Sequence, residues 1–299
     1  MINITMNQQP VFIIGSPRSG TSLLRLMMTS HSQIMVPPEC GFLVWLANHY
    51  GDWAEKDIFN QQRLCNYLND LQECRKFDTW ELGSHEIKAK ILQIKPVNYS
   101  QLSSCVYLAY AEKLGRQSVI WGDKNNFYLE HIPELIKLYP QARFIHIVRD
   151  GRDIACSYRE IQQRPSSSPY SPNLPTDLVT IARQWSSNLS KILEDLSVLK
   201  AEQKLTISYE HLVTEPQVVM QKVVDFLVVD YEPAMLDFYL SNQNQQLEPI
   251  ALMDWKQRTL EPVSAKTVGR FLTELTVDEI KVFQESAREC LQTFEYRLY

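Results

Sequence analysis

The 299-residue sequence predicts an α/β fold of the phosphate-loop type, three-layered, with a central parallel sheet and helical insertions. Three observations lead there. The apolar run Val11–Ile14 is followed by Gly15-Ser16-Pro17-Arg18-Ser19-Gly20 and then by the periodic stretch Thr21–Thr29, which is the strand, glycine turn and helix that open a parallel sheet. Ser118–Trp121, Arg143–Val148 and Lys204–Ser208 are further buried-strand candidates, each followed by a polar turn and a helix-compatible stretch. The length suffices for one substantial core, so residues 1–299 are expected to form one domain.

Taken in order, the first helix is Thr21–Thr29, with Leu23, Leu24, Leu26, Met27 and Met28 as its apolar positions. Between Gly41 and Gly115 the pattern is helical, polar and irregular, and is read as a helical insertion (about 41–115) flanking the substrate side. Arg164–Thr176 carries Pro165, Pro169, Pro172 and Pro175, which rules out a helix or a central strand. It is either a mobile cover over a site or a plain connection. Ser241–Leu247, rich in Asn and Gln, reads as an exposed connection. Thr276-Val277-Asp278-Glu279 is a capping box, and the helix it starts repeats Ile280, Phe283, Ala287, Leu291 and Phe294 on one face, a packing surface.

Composition narrows the function. A net charge of −5 argues against a nucleic-acid or anionic-membrane surface, so any anion site must be built locally. Met1–Pro10 has no cationic, apolar leader pattern and no run is long enough to cross a bilayer, which makes the cytoplasm the expected location. Six scattered cysteines form no C-x-x-C pair and read as reduced, structural thiols. His146, within an apolar strand, reads as a satisfied core histidine. The other histidines form no metal-ligand grouping, and Trp45, Trp53 and Trp80 read as packing within the insertion.

The loop Gly15–Ser22 departs from the nucleoside-triphosphatase pattern G-x-x-x-x-G-K-[ST] because Thr21 stands where the lysine should be, while a cation, Arg18, comes earlier. Backbone amides at the helix start would still cradle an anion, but one other than a magnesium triphosphate. The second signature is Arg149-Asp150-Gly151-Arg152-Asp153 after the strand Arg143–Val148. An arginine at the carboxyl end of a parallel strand faces the crevice where such sheets bind ligands, and its planar guanidinium suits a phosphate. The plain alternative is a strand-end ion pair between Arg149 and Asp150.

Together, Pro17-Arg18-Ser19-Gly20-Thr21-Ser22-Leu23-Leu24 and Arg143-Phe144-Ile145-His146-Ile147-Val148-Arg149-Asp150-Gly151-Arg152-Asp153 resemble the sulfotransferases that use 3′-phosphoadenylyl sulfate (PAPS), in particular the tyrosylprotein sulfotransferase branch and its bacterial relatives. The resemblance runs from Pro10 to about Phe271. It implies that Arg18, Ser19, Gly20, Thr21 and Ser22 hold the 5′-phosphosulfate, and Arg149 and Ser157 the 3′-phosphate. Glu39, in Pro37-Pro38-Glu39, falls where the tyrosylprotein enzymes carry their general base. The family pattern has two acids there, and this chain has Pro38 in place of the first. Lys124, in Gly122-Asp123-Lys124-Asn125-Asn126-Phe127, matches the lysine that neutralises the departing bridging oxygen, although Asn125 and Asn126 depart from the pattern. Tyr209 in Ser208-Tyr209-Glu210-His211-Leu212 is placed beside the 3′-phosphate or adenosine. A gapped comparison sets Thr259 where a serine helps the leaving group, and Arg270 near the late basic residue.

The expected reaction is in-line transfer of a sulfuryl group from PAPS, without metal, to a hydroxyl of a small molecule such as a natural product or sugar, with a nitrogen as second choice. Peptidyl-tyrosine sulfation is the alternative, set aside for want of a leader or a disulfide pattern. A divergent phosphate-loop kinase and a non-catalytic nucleotide binder are the rivals from other classes. The first lacks the loop lysine, and the second would be expected to have lost Glu39 or Lys124. A homodimer is left open.

Overall fold

The computed structural model describes residues 9–116, 120–164 and 166–299. Five strands, β1 (Val11–Ile14), β2 (Ile34–Met35), β3 (Ile120–Lys124), β4 (Arg143–Val148) and β5 (Lys204–Ser208), make a parallel sheet in the order β2-β3-β1-β4-β5. The longer helices are α1 (Thr21–Thr29), α2 (Gln61–Gln72), α3 (Ser84–Ile94), α4 (Tyr99–Lys113), α5 (Gly151–Gln162), α6 (Leu178–Ser197), α7 (Pro216–Leu227) and α8 (Val277–Thr293). Among the described residues no helix is long and apolar enough to cross a membrane.

β1, β4, β5 and α1 begin and end where the sequence places them. β3 does not. Of the expected Ser118–Trp121, Ser118 and Val119 lie outside the described residues, and pairing continues to Lys124, which sits opposite Ile13. Lys124 therefore ends the strand instead of following it. β2, two residues long, is too short to show a sequence pattern.

Alternation along the strands builds the layers, because successive side chains leave opposite faces. Val11, Ile13, Ile145, Ile147 and Ile207 pack with α1 and α7 through Leu24, Met27, Val219 and Val223. Phe12, Ile14 and Phe144 pack on the other face against the insertion. The insertion proves to be an aromatic block more than a polar one. Tyr107 stacks on Trp121 at 4.1 Å, and Phe42, Phe77 and Trp80 close around it. Trp53 and Trp80 are buried, while Trp45 is partly exposed away from the main cavity. α8 starts at the expected capping box, where Thr276 Oγ1 accepts from Glu279 N and Glu279 Oε2 accepts from Thr276 N. Its Phe283, Ala287 and Leu291 pack with Trp185 of α6.

Two expectations need correction. His146 is fully buried, yet neither ring nitrogen has a hydrogen-bond partner, so it is a neutral, unsatisfied core residue whose burial lowers its pKa to about 4. The Asn- and Gln-rich stretch is an exposed connection only in part, with residues 243–246 exposed. Residues Phe238–Gln245 are helical, and Asn242 and Leu247 are buried, because Asn242 clamps two backbone segments described below.

From β1 the chain goes to the edge at β2, returns through β3, and then crosses β1 to build β4 and β5 on the other side. The order reverses between β1 and β4, so the loops at their carboxyl ends diverge and open a crevice.

Candidate active site

A cavity of about 640 Å³ occupies that crevice. Its floor is the loop between β1 and α1. Gly20 has φ 100°, and a Cβ there would run into the Tyr209 ring. A Cβ on Gly15 would lie 2.7 Å from the Ile147 carbonyl oxygen, so the loop also needs glycine to lie flat on β4. α1 begins with no side-chain cap and no acid in its first turn, and its first helical bond runs from Leu24 N to Gly20 O at 3.0 Å. The preceding amides, at the positive end of the helix dipole, line the cavity with Gly20, Thr21, Ser22 and Leu23.

Arg18 (φ 69°) and Arg149 brace this loop. Arg149 donates to Arg18 O at 3.0 Å and to Thr267 O at 2.9 Å, and its guanidinium lies 4.3 Å from the Tyr209 ring centre. Its Nε is buried without a partner, as are the hydroxyls of Ser16 and Ser19. The strand-end ion pair is not formed, because Asp150 pairs with Arg152 at 2.7 Å and caps α5. Arg18 Nε donates to Ser157 Oγ at 3.1 Å, and Tyr209 Oη lies 2.8 Å from Thr267 Oγ1. Arg18, Gly20, Thr21, Ser22, Arg149 and Tyr209 line the cavity, whereas Ser19 and Ser157 sit behind its wall. Burial, then the charge of Arg149, lowers Arg18 to about 10, which leaves it cationic at neutral pH.

Glu39 and Lys124 meet across the same cavity. The Pro37-Pro38 stretch is pinned by Trp80, whose Nε1 donates to Pro38 O at 2.9 Å, and this aims Glu39 inward. Glu39 Oε1 contacts Lys124 Nζ, Oε2 lies 2.6 Å from Lys76 Nζ, and Lys256 Nζ stands 4.0 Å from Oε1. Burial alone would raise the Glu39 pKa, but Lys124, Lys256 and Lys76 overcome it and hold the carboxyl well below its ordinary value. Burial draws Lys124 down to about 8, with Glu39 opposing and Lys256 assisting. Lys124 also donates to Ser22 Oγ at 3.2 Å, which ties it to the start of α1. Beside it, burial lifts Asp123 to about 7 against the hydroxyls of Tyr107 and Tyr128.

Thr259 and Arg270 stand on the remaining wall. Thr259 Oγ1 donates to Lys256 O at 2.7 Å, and Arg270 is shared between Glu160 (2.8 Å) and Glu274 (2.8 Å). Glu160 also pairs with Arg258 and Arg164. The proline-rich stretch contributes Tyr170 to Leu174 as one side of the cavity. Tyr170 Oη donates to Asp78 at 2.7 Å and Ser166 Oγ to Asp254 at 2.7 Å, and no helix or strand occurs among its described residues; Pro165 lies outside them.

Sequence reasoning missed Lys76, Lys256 and Glu248. Lys76 sits in a turn at φ 72° with no motif around it. Lys256 and Arg258, closely preceding Thr259, are a basic pair that could have been flagged. Glu248 is fully buried under α1 and holds both Arg25 (2.8 Å) and Lys256 (2.7 Å).

The sulfotransferase family model matches residues 10–233. The chain belongs to the sulfotransferase family. Protein-tyrosine sulfotransferase A of Caenorhabditis elegans is 23% identical over 270 residues, covering 85% of this chain and 63% of that protein, so the chain spans less than two thirds of that relative's length. The sulfotransferase domain of the Synechococcus PCC 7002 olefin synthase superposes with a TM-score of 0.63 at 20% identity, covering 98% of both chains. A mouse sulfotransferase solved with PAP gives 0.51 at 15% identity over 96% of this chain and 89% of that one. These neighbours share the phosphate-loop α/β fold expected from the sequence. The expected cytoplasmic location is withdrawn. Protein-tyrosine sulfotransferases of worm, fly and zebrafish are among the relatives, and a protein-tyrosine acceptor in a secretory compartment is the case that expectation had set aside.

Proposed function

We propose that this chain, working as one domain, moves a sulfuryl group from PAPS to an acceptor hydroxyl and releases adenosine 3′,5′-bisphosphate (PAP). The observation that carries the reading is the Glu39–Lys124 contact placed beside an uncapped helix start whose loop lacks the triphosphatase lysine. The mouse neighbour solved with PAP supports the choice of donor.

The residues fit such a donor. The free amides of Gly20 to Ser22, with Arg18, suit the 5′-phosphosulfate. Arg149, with its orphaned Nε and the Tyr209 ring beneath it, suits the 3′-phosphate. Ser19 and Ser157 would serve from behind, Ser157 by orienting Arg18. Arg270 uses three of its five N–H donors on Glu160 and Glu274 and would offer a phosphate the other two. When bound, PAPS would supply an electrophilic sulfur on a phosphate leaving group.

Glu39 is ionised at neutral pH and, with its pKa held low, is a weak base. It therefore suits a hydroxyl proton that becomes acidic as the acceptor oxygen bonds to sulfur. Lys124 faces the site where negative charge collects as the sulfur–oxygen bond to phosphate breaks, in a buried setting where that charge is strongly felt. Thr259 supports this side through its bond to Lys256 O.

A small-molecule acceptor would share the cavity of about 640 Å³ with the donor, whose loop and arginines line it too. The relatives' names support a protein tyrosine instead. PAP at about a hundredfold over its dissociation constant should stabilise the fold by roughly 2.7 kcal/mol without added metal. Labelled PAPS offered to tyrosine peptides, phenols, sugars and alcohols should then separate the acceptors. A melting shift with magnesium-ATP and none with PAP would overturn the reading in favour of a kinase.

A further inference from the structure

The buried side chains around Glu39 carry unequal charge. Among the described residues, the buried Lys124, Lys256 and Arg25 and the half-buried Lys76 pair with two carboxylates, Glu39 and Glu248. Glu248 is already served by Arg25, which also donates to the Val36 and Leu247 carbonyls. Yet Lys256, also buried, spans from Glu248 Oε1 at 2.7 Å toward Glu39 Oε1, the oxygen that Lys124 holds. Gathering ammonium groups in a buried cluster is costly unless an anion completes it.

Lys256 is also held stiffly. Its carbonyl accepts from Thr259 N at 2.8 Å and Thr259 Oγ1 at 2.7 Å. Asn242 Nδ2 donates to Thr259 O at 3.2 Å, while Asn242 Oδ1 accepts from Glu248 N at 2.7 Å. One buried amide thus fixes both the backbone that carries Lys256 and the carboxylate that aims it. This accounts for the buried Asn242, Glu248 and Arg25, which the Glu39–Lys124 contact alone leaves unexplained.

We propose that Lys256 is a second cation for the sulfuryl end of the donor, acting beside Lys124, with Glu248 as its positioning residue. The inference rests on the sulfotransferase reading. In the transfer, the bond between sulfur and the bridging phosphate oxygen breaks and its electron pair stays on that oxygen. A bond forms between sulfur and the acceptor oxygen, and the acceptor's proton passes to Glu39. Lys256 keeps its proton throughout and acts through charge on the sulfuryl oxygens. Its neighbours are Glu39, Lys124 and Glu248, whereas Arg18, Arg149 and Tyr209 form a separate set of contacts suited to the nucleotide phosphates.

PAP, which lacks the sulfuryl group, and PAPS provide the test. With Lys256→Met, calorimetry without acceptor should show PAP affinity within about twofold of wild type and PAPS affinity about ten- to a hundredfold weaker, the loss of a charge-assisted contact. Lys256→Arg should recover part of the PAPS loss. Glu248→Gln should weaken PAPS selectively by a smaller factor and lower kcat more than it raises KM. If Lys256→Met does not fold, the PAPS-to-PAP affinity ratios of Lys256→Arg and Glu248→Gln decide instead, since both keep a hydrogen-bonding group in place. Unchanged ratios, or equal losses for PAP and PAPS, overturn the proposal. A wild-type protein that binds neither ligand overturns the sulfotransferase reading itself, a separate outcome.

Discussion

Replacing Glu39 with glutamine should have opposite effects on turnover and on donor binding. The glutamine keeps the shape held by the Trp80–Pro38 bond but removes the charge shared among Lys124, Lys76 and Lys256. Loss of a positioned base typically costs about 10²–10⁴-fold in rate. Binding should move the other way, because Glu39 competes with an incoming anion for Lys124. A charge-assisted hydrogen bond contributes about 1.5–3 kcal/mol and a neutral one about 0.5–1.5. Removing the charge therefore frees roughly 1–1.5 kcal/mol of competition, or PAP and PAPS binding about tenfold tighter. Calorimetry with PAP and steady-state rates with labelled PAPS read the two effects separately, and a melting curve shows that the fold survives. Near-wild-type turnover, or donor binding weakened alongside turnover, would refute the assignment of Glu39 as the proton acceptor facing Lys124.

Arg149→Ala removes the two bonds that brace the loop at Arg18 and Thr267 as well as the proposed ligand of the 3′-phosphate, so PAP affinity should fall about ten- to a hundredfold in a folded protein; unchanged calorimetric affinity would make Arg149 a purely structural brace. His146 has its pKa lowered from 6.5 to about 4, so the stability this neutral, buried histidine contributes is complete above pH 6.5 and is lost as pH falls toward 4. That loss amounts to about 3 kcal/mol, and in His146→Leu urea midpoints should fall less between these pH values than in wild type. Parallel pH profiles would show that the histidine does not drive acid destabilisation. Residues 166–176, held by Tyr170 to Asp78 and Ser166 to Asp254, should gain hydrogen-exchange protection when PAP and an acceptor are both bound, and identical exchange would leave the segment a fixed wall.

The strands β1, β4 and β5, the helix α1 and the capping box of α8 were legible in the sequence because each is specified locally. Continuous apolar runs mark β1 and β4, which are buried on both faces, and glycine at Gly20 marks a backbone that a side chain would block; β5 keeps its expected bounds but not its expected burial, because it is the edge strand and only Ile207 is buried. The missing loop lysine and the arginine after β4 were legible for the same reason, since strand-end loops place their residues by short-range geometry. Three things were decided only by tertiary structure. Trp80 reaches from the insertion to pin Pro38 and aim Glu39, a contact spanning 42 residues. Lys76 and Lys256, from segments far apart in the chain, converge on one carboxylate and set its pKa, while Glu248 reaches 223 residues back to Arg25. Electrostatics at a site depends on which charges share a few ångströms of low-dielectric space, and no local pattern encodes that. The sequence alone determined a parallel α/β fold with Arg18 in its first strand–helix loop and Arg149 just after β4, whereas packing of the insertion and the Asn242 clamp decided how much positive charge surrounds Glu39.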